Sequence, residues 1–156
     1  MQRDEGQVPV AIAIVMADDD ADDRMLARDA MRESRLGNPF FVVEDGQELM
    51  EFLKRSGRYA RTDVPRPGLI LLDLNMPRMD GRQALQLIKH DPELRSIPVV
   101  VLTTSKTEED MLRSYDLGAN TFITKPVTFD RLVEIMRALG LYWFDIAQLP
   151  CNRVGQ

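Results

Sequence analysis

An uninterrupted run of aliphatic residues that ends in one aspartate constrains the fold of this chain more than any other feature. The run is Leu69-Ile70-Leu71-Leu72-Asp73, with Pro67-Gly68 before it and Pro77 after it. A short apolar run between turn signals is typical of a strand buried on both faces of a sheet. Such a strand places Asp73 at the carboxyl end of the sheet, where open α/β sheets bind ligands. Because aspartate beside proline and glycine is also common in turns, Asp73 alone is either a functional residue or a turn cap.

Further strands and helices are predicted to alternate with this strand along the chain. Apolar runs predict strands over residues 10–16, 40–43, 97–102 and 120–124. A helical pattern follows each strand, and the apolar residues predicted for the first two helices are Met25, Leu26, Ala30 and Met31, then Leu49, Met50 and Leu53 with Phe52 on the flank. This alternation predicts right-handed crossovers and a parallel sheet with helices on both faces. A length of 156 residues suits one such α/β domain.

Polar and charged side chains follow several of the predicted strands. Because parallel strands all point the same way, the residues just after each strand are expected to meet at one edge of the sheet. Carboxylates follow the first and third strands, a hydroxyl the fourth and an ammonium group the fifth. The residues concerned are Asp18, Asp19, Asp20, Asp73, Thr103 and Lys125.

These side-chain types suit a divalent cation and a phosphoryl group. Clustered carboxylates repel one another unless a cation neutralises them. Carboxylate oxygens without histidine or cysteine suit Mg²⁺, which is commonly held by one or two carboxylates together with phosphate. Lys125 can supply a positive charge for phosphate oxygens, and Thr103 can donate a hydroxyl hydrogen bond. An aspartate can itself be the nucleophile and form an acyl phosphate.

The order of these motifs resembles the receiver domain of two-component response regulators. That family has an acidic pair after the first strand, a phosphorylated aspartate after the third, serine or threonine after the fourth and Lys-Pro after the fifth. This chain has Asp18-Asp19, Asp73 within LDLNMPRMDG, Thr103 and Lys125-Pro126. The resemblance covers roughly residues 10 to 140. It implies a flavodoxin-like (βα)5 fold, an α/β doubly wound sandwich whose parallel sheet has the strand order 2-1-3-4-5.

The resemblance also implies a role for each carboxylate. Asp73 is expected to accept the phosphoryl group from a histidine of a partner kinase. Asp19 is expected to bind Mg²⁺ directly, and Asp18 to act mainly through water. Asp73 and the backbone carbonyl of Asn75 are expected to complete the protein ligands of the cation.

Three further residues take switch roles by the same resemblance. Thr103 is expected to hydrogen-bond the phosphoryl group and to move toward it, and Lys125 to pair with it. Phe122 lies three residues before Lys125, in the place of the aromatic residue that swings inward in this family. The resemblance therefore implies a phosphoacceptor that signals by conformational change and protein contacts, with at most Mg²⁺-dependent self-dephosphorylation as enzymatic activity.

A narrower resemblance concerns the partner kinase. The long loop over residues 56–68, the Thr103-Thr104-Ser105 triplet and the tail containing Trp143 look like those of the small, stand-alone regulators that partner bacterial phytochromes. The partner is then a histidine kinase, either a bacterial phytochrome or another kinase.

The alternative reading is an aspartyl-nucleophile phosphatase of the haloacid dehalogenase type. In that reading Asp18-x-Asp20 would be the opening motif of the enzyme. Such enzymes need a further acidic pair after a strand beyond the lysine, whereas only a helix and a tail are predicted after Lys125-Pro126. Phosphatase activity is therefore the weaker hypothesis.

Composition excludes several other classes of function. The net charge of −5 argues against a nucleic-acid partner, since such surfaces are usually basic. A lone cysteine, Cys151, cannot form an internal disulfide. The apolar run near the start is too short to span a membrane and lacks the flanks of a signal peptide, so we predict a cytoplasmic protein without membrane contact.

The C-terminal tail carries three consecutive aromatic residues, Tyr142-Trp143-Phe144. Neighbouring side chains on a helix lie about 100° apart, so the three cannot all face one core. We predict a receiver domain over residues 8–140 and an aromatic extension over residues 141–156 that either packs back on this domain or supports a homodimer. Of these two outcomes, aromatic enrichment at interfaces favours the homodimer.

Overall fold

The computed structural model describes residues 12–104 and 107–146 and shows five parallel strands with helices on both faces. The strands are β1 (Ile14–Ala17), β2 (Phe40–Val43), β3 (Leu69–Leu72), β4 (Val99–Thr103) and β5 (Thr121–Thr124). The helices are α1 (Ala21–Glu33), α2 (Gly46–Lys54), α3 (Gly81–His90), α4 (Glu108–Asp116) and α5 (Phe129–Gly140), with a 3₁₀ turn at Gly57–Tyr59 and a π-helical segment at Leu141–Ile146. The strand order is β2-β1-β3-β4-β5, which confirms the predicted fold class.

The three central strands form the buried middle of the sheet. Every residue of β1, β3 and β4 is buried, whereas the edge strands β2 and β5 are mostly half-buried. Alternate residues of each strand point to opposite faces. In β1, Val15 belongs to a first core shared with α2 and α3, and Met16 belongs to a second core shared with α1 and α5. The continuous apolar runs of the sequence are therefore required because both faces of the sheet are covered.

Each of the five α-helices begins after a residue whose side chain accepts a hydrogen bond from the backbone of the first turn. These N-cap residues are Asp20, Asp45, Asp80, Thr107 and Thr128. Such a side chain pairs one of the backbone N–H groups that a helix start leaves without a partner. All five caps lie in loops that follow the carboxyl ends of the strands, so they help to determine where the chain turns away from that edge.

The predicted faces of two helices are confirmed in part, since Ala30, Met31 and Leu49 are buried as predicted while other residues differ. Met25 and Leu26 are 59% and 43% exposed, and α1 instead buries Ala27, Ala30 and Met31. Ala27, Ala30 and Met31 lie in the second core. In α2, Phe52 is only 2% exposed, because its ring packs against Phe41 and Tyr59 at centroid distances of 5.4 and 5.2 Å.

The predicted boundaries of two strands also change. The prediction for the first strand began at Val10, but residues before 12 lie outside the described part of the chain, and β1 begins at Ile14. The prediction for the fourth strand began at Ile97, whereas β4 begins at Val99. Proline has no N–H for a sheet hydrogen bond, so Pro98 takes part only through its carbonyl, which accepts from Ile70 N–H at 3.0 Å.

The described part of the aromatic tail continues α5 without a break. Tyr142 is exposed, and its ring meets that of Trp143 edge-on at 5.0 Å. Trp143 is half-buried against the second core, so one aromatic residue packs on the domain while its neighbour faces outward. Residues 147–156 lie outside the described part of the chain. Among the described helices, none is both long and apolar enough to cross a membrane.

Candidate functional site

The carboxyl ends of the strands bring the predicted site residues together. Asp18 and Asp73 directly follow β1 and β3, Thr103 ends β4, and Lys125 follows β5. The sheet hydrogen bonds continue past the strands, because Asp73 N–H donates to Ala17 O at 3.0 Å and Lys125 N–H donates to Thr103 O at 2.7 Å. The backbone therefore holds these side chains in register, as the predicted parallel sheet requires.

Two polar groups contact opposite oxygens of the Asp73 carboxylate, which is only 5% exposed. The Thr103 hydroxyl donates to Asp73 Oδ1 at 2.8 Å, and Lys125 Nζ lies 3.1 Å from Asp73 Oδ2. The backbone N–H of Asn75 also donates to Oδ1, at 3.3 Å. Oδ1 of Asp73 thus accepts two hydrogen bonds, while Oδ2 faces the Lys125 ammonium group.

Lys125 is the positive centre of the site. Its Nζ lies 2.6 Å from Asp18 Oδ2 and 2.8 Å from Asp23 Oδ2, in addition to its contact with Asp73. Burial acts to lower the pKa of Lys125, but the close contacts with the Asp18 and Asp23 carboxylates outweigh burial and raise this pKa above its usual value. The ammonium group is therefore charged at any physiological pH.

Asp18, Asp19 and Asp73 fit a divalent cation. Each offers one carboxylate oxygen, and the three oxygens lie within 4.8 Å of one another. Asp18 is fully buried, and among the described residues its Oδ2 receives no well-aligned hydrogen bond, although the Lys125 charge lies close to it. A buried oxygen that lacks a well-aligned donor, beside two further carboxylates, is suited to a hard cation that takes oxygen ligands.

The ionisation of Asp18 reflects this crowding. Burial raises the pKa of Asp18 above its usual value, and the charge of Asp73 adds to the rise. The close Lys125 ammonium and the hydrogen bond from the backbone N–H of Asp20, at 2.9 Å, act in the opposite direction and lower the pKa. The carboxylate of Asp18 is thus costly to ionise without a cation.

The remaining predicted residues lie around this group. Asn75 is exposed just beyond Asp73. Phe122 is half-buried against the first core, and its backbone N–H donates to the Tyr115 hydroxyl at 3.2 Å. The one histidine of the chain, His90, is exposed at the end of α3 and is not part of this group.

Asp23 also belongs to the site, although an aspartate-rich run such as residues 20–23 is more typical of a helix cap and a solvent-facing surface. It follows the N-cap Asp20 by three residues, so the first turn of α1 places its carboxylate back over the edge of the sheet. Asp23 and Lys125 are 102 residues apart in sequence, so no local pattern relates them. The spacing from the N-cap is the one signal that indicates the direction of its side chain.

An ion pair between the buried Asp45 carboxylate and the exposed Arg78 side chain holds the loop that follows Asp73. Asp45 is fully buried, caps α2 through the N–H of Glu48 and accepts from Arg78 Nε at 2.8 Å. Burial acts to raise the pKa of Asp45, but these hydrogen bonds outweigh it and lower the pKa. Gly81 packs still closer to the site, because a Cβ there would lie 2.1 Å from the Asp73 carbonyl oxygen. The sequence did not predict the contact between Asp45 and Arg78, because these residues are 33 positions apart in the chain.

Comparison with known proteins assigns this arrangement to one family. The model of the response regulator receiver domain matches residues 14–137. Response regulator Rcp1 of Synechocystis sp. is 38% identical over 147 residues, which cover 94% of this chain and 97% of that protein. The crystal structure of the phosphorylated cyanobacterial phytochrome response regulator RcpA has a TM-score of 0.82 and 41% identity, covering 90% of this chain and 99% of that one.

A second solved structure bears on the metal site. The Mn²⁺-bound form of response regulator Rcp1 has a TM-score of 0.80 and 37% identity, covering 89% of this chain and 99% of that one. These matches confirm the receiver resemblance and favour it over the haloacid dehalogenase alternative. They also support a divalent-metal site at the acidic cluster without specifying the metal.

Proposed function

The chain belongs to the response regulator receiver domain family, and we propose that its Asp73 accepts a phosphoryl group from a histidine kinase. One observation carries this proposal. The Thr103 hydroxyl and the Lys125 ammonium contact the two oxygens of the same buried carboxylate. The Thr103 hydroxyl and the Lys125 ammonium, on opposite oxygens, orient the carboxylate as a nucleophile. They also place a hydrogen-bond donor and a positive charge beside the position that a phosphoryl group would take.

In the proposed transfer, Asp73 Oδ2 attacks the phosphorus atom of the donor. An O–P bond forms, the bond between phosphorus and the donor nitrogen breaks, and its electron pair stays with the donor histidine. Oδ1 remains oriented by Thr103 and by the Asn75 N–H. Lys125 then pairs with a phosphoryl oxygen, and the Thr103 hydroxyl moves to another.

Asp18, Asp19, Asp73 and the carbonyl of Asn75 would hold the divalent cation, for which we propose Mg²⁺. When bound, Mg²⁺ neutralises charge on the phosphoryl oxygens. Without a bound cation, the negative charges of these carboxylates would repel a phosphoryl dianion. Oxygen-only ligands, part of them solvent-exposed, suit a cation that retains several waters.

The partner surface lies at the rim of the same edge. Leu26 of α1 and Phe129 of α5 are partly exposed there, and Val127 in the loop between β5 and α5 is 97% exposed. Together with Asp23 and Lys125 they line a small cavity beside the acceptor. A donor histidine must approach Asp73 closely, so its domain must cover this rim, and apolar side chains there favour a protein partner. Since RcpA is described as a phytochrome response regulator, we propose a phytochrome-type histidine kinase as this partner.

Phosphorylation by a small donor tests the acceptor. The intact protein is incubated with acetyl phosphate and Mg²⁺, and its mass is measured. We expect one added phosphoryl group, none in Asp73→Asn, and normal incorporation in Asp116→Asn, which removes an exposed carboxylate at the end of α4. Undiminished incorporation in Asp73→Asn, or none in the wild type at any Mg²⁺ concentration, would overturn the proposal.

We further propose that the output is a conformational change read by protein contacts in the cytoplasm, with Phe122 as the switch residue. Phe122 lies on β5 between the first core and the groove that Trp143 lines, so its rotation would alter both. We expect the ¹⁹F signal of 4-fluorophenylalanine at position 122 to shift on phosphorylation of wild type and not of Asp73→Asn. An unchanged signal in phosphorylated wild type contradicts the switch role.

Homodimerisation through α5 and the aromatic extension remains part of the proposal. Leu141 and Tyr142 are 56% and 52% exposed side by side at the end of α5. Such a pair would be buried in an interface core. Light scattering across a concentration series should report dimers for the intact chain and monomers for the double variant Leu141→Ser, Tyr142→Ser. Monomers in both cases would contradict the proposal.

A further inference from the structure

We propose that Asp23 is a positioning residue that holds the Lys125 ammonium and offsets its charge, and thereby limits how tightly the site binds a phosphoryl group. The inference rests on the proposed function, because it concerns the same acceptor. It begins from an asymmetry in the three carboxylates around Lys125. Asp18 and Asp73 also belong to the metal cluster, whereas Asp23 does not.

Phosphorylation would remove two of these three partners from Lys125. Asp73 would be esterified, and its new phosphoryl oxygens would replace the carboxylate oxygen beside the ammonium. Asp18 would turn toward the cation, for which its buried Oδ2 is suited. Asp23 alone keeps its carboxylate available, because it projects from the first turn of α1 and is not among the three clustered ligand oxygens.

The contact between Asp23 and Lys125 therefore persists through the proposed reaction. Its N···O distance of 2.8 Å makes it a charge-assisted hydrogen bond, and Lys125 is only 11% exposed. The pair anchors a flexible four-carbon side chain to a helix. It also makes the combined charge of the two groups close to zero beside the position of the phosphoryl group.

Removing only the charge of Asp23 separates these two effects. In Asp23→Asn the amide oxygen can still accept a hydrogen bond from Lys125 Nζ, so the lysine stays in place with its charge no longer offset. An anion at Asp73 should then bind more tightly. A cation at the acidic cluster should bind more weakly, because the uncompensated Lys125 charge lies 3.1 Å from Asp73 Oδ2.

The experiment measures both ligands by titration calorimetry on the full chain. Mg²⁺ is titrated first, and beryllofluoride is then titrated at saturating Mg²⁺, where beryllium joins an oxygen of Asp73 and loses a water. For Asp23→Asn we expect beryllofluoride to bind about three- to tenfold more tightly and Mg²⁺ about two- to fivefold more weakly. Opposite signs for an anion and a cation are not expected from a change in folding or packing.

Two controls make the result specific. Asp22→Asn removes the same charge one residue earlier, where the side chain is exposed on α1, and should change neither affinity by more than about twofold. In a Lys125→Met background the effect of Asp23→Asn on beryllofluoride should vanish, because the charge that Asp23 offsets is gone. Circular dichroism should show the same helix content in all variants.

The outcomes distinguish this inference from the proposed function. If wild type binds no beryllofluoride with Mg²⁺ present, the acceptor proposal itself fails. If wild type binds and Asp23→Asn binds equally or more weakly, only the role of Asp23 is overturned. Equal shifts in Asp22→Asn and Asp23→Asn, or an undiminished effect of Asp23→Asn beside Lys125→Met, would also overturn it, since both indicate a general charge effect.

Discussion

Replacing Asp18 with asparagine is expected to stabilise the protein when no divalent cation is present. Asp18 is fully buried, and two other carboxylate oxygens lie within 4.8 Å of its own. At an effective dielectric constant of about 20, repulsion from each carboxylate costs about 3.5 kcal/mol at the outer limit of 4.8 Å and more at shorter distances, while attraction to Lys125 at 2.6 Å contributes about 6.4 kcal/mol. Repulsion and attraction nearly cancel, so the desolvation cost of the buried charge remains.

Asparagine removes that cost without leaving Lys125 unpaired, because Asp23 and Asp73 still contact its ammonium. We expect the free energy of unfolding of Asp18→Asn to exceed that of wild type by about 1–3 kcal/mol in the presence of EDTA. A gain of this size raises the thermal midpoint by roughly 2–4 °C for each kcal/mol at this chain length. Urea unfolding followed by circular dichroism measures the difference at neutral pH.

Lower pH and added Mg²⁺ test whether the buried charge of Asp18 causes this difference in stability. The raised pKa of Asp18 means that the folded wild type binds a proton before the unfolded chain does, so wild type gains stability as pH falls through that pKa, and the gap should close. Mg²⁺ at about ten times its Kd should stabilise wild type by about 1.4 kcal/mol and the variant by less. A variant less stable than wild type in EDTA would refute the reasoning, because attraction to Lys125 would then outweigh burial.

Three other substitutions test the surroundings of the site. Gly81→Ala places a Cβ 2.1 Å from the backbone oxygen of Asp73 and should cost about 2–3 kcal/mol in urea unfolding. Asp45→Asn loses the ionic contact with Arg78 and should cost about 1–2 kcal/mol at neutral pH. Because the pKa of Asp45 is lowered, this difference should be full above about pH 4 and disappear as pH falls through the folded value. Thr103→Val removes the donor to Asp73 and should slow incorporation from acetyl phosphate by about ten- to hundredfold.

Each of these outcomes has a contradicting result. Gly81→Ala with wild-type stability would mean that the loop after Asp73 can move aside. A pH-independent effect of Asp45→Asn would assign its role to packing instead of charge. Thr124→Val, at the exposed end of β5, is the matched control for Thr103→Val, and equal rates in the two variants would remove the role of the Thr103 hydroxyl.

Local sequence patterns were sufficient for the parts of the fold that depend on neighbours in the chain. The aliphatic run ending in Asp73 predicted β3 and placed its aspartate at the sheet edge, because burial on both faces requires continuous apolar residues. The helix caps also follow from short-range hydrogen bonds. By contrast, the buried face of α1 is predicted only in part: Ala30 and Met31 are buried, but Met25 and Leu26 are exposed although they are as apolar as the residues that α1 buries.

The sequence by itself determined which chemical groups follow the strands of this protein, and parallel pairing made their meeting at one edge predictable. Only the tertiary structure decided which of these groups touch. Asp23 reaches Lys125 across 102 residues, and Asp45 reaches Arg78 across 33. The physical reason is that a hydrogen bond between side chains tolerates only a few tenths of an ångström of variation in distance. That distance is set by how the helices pack on the sheet and not by the order of residues in the chain.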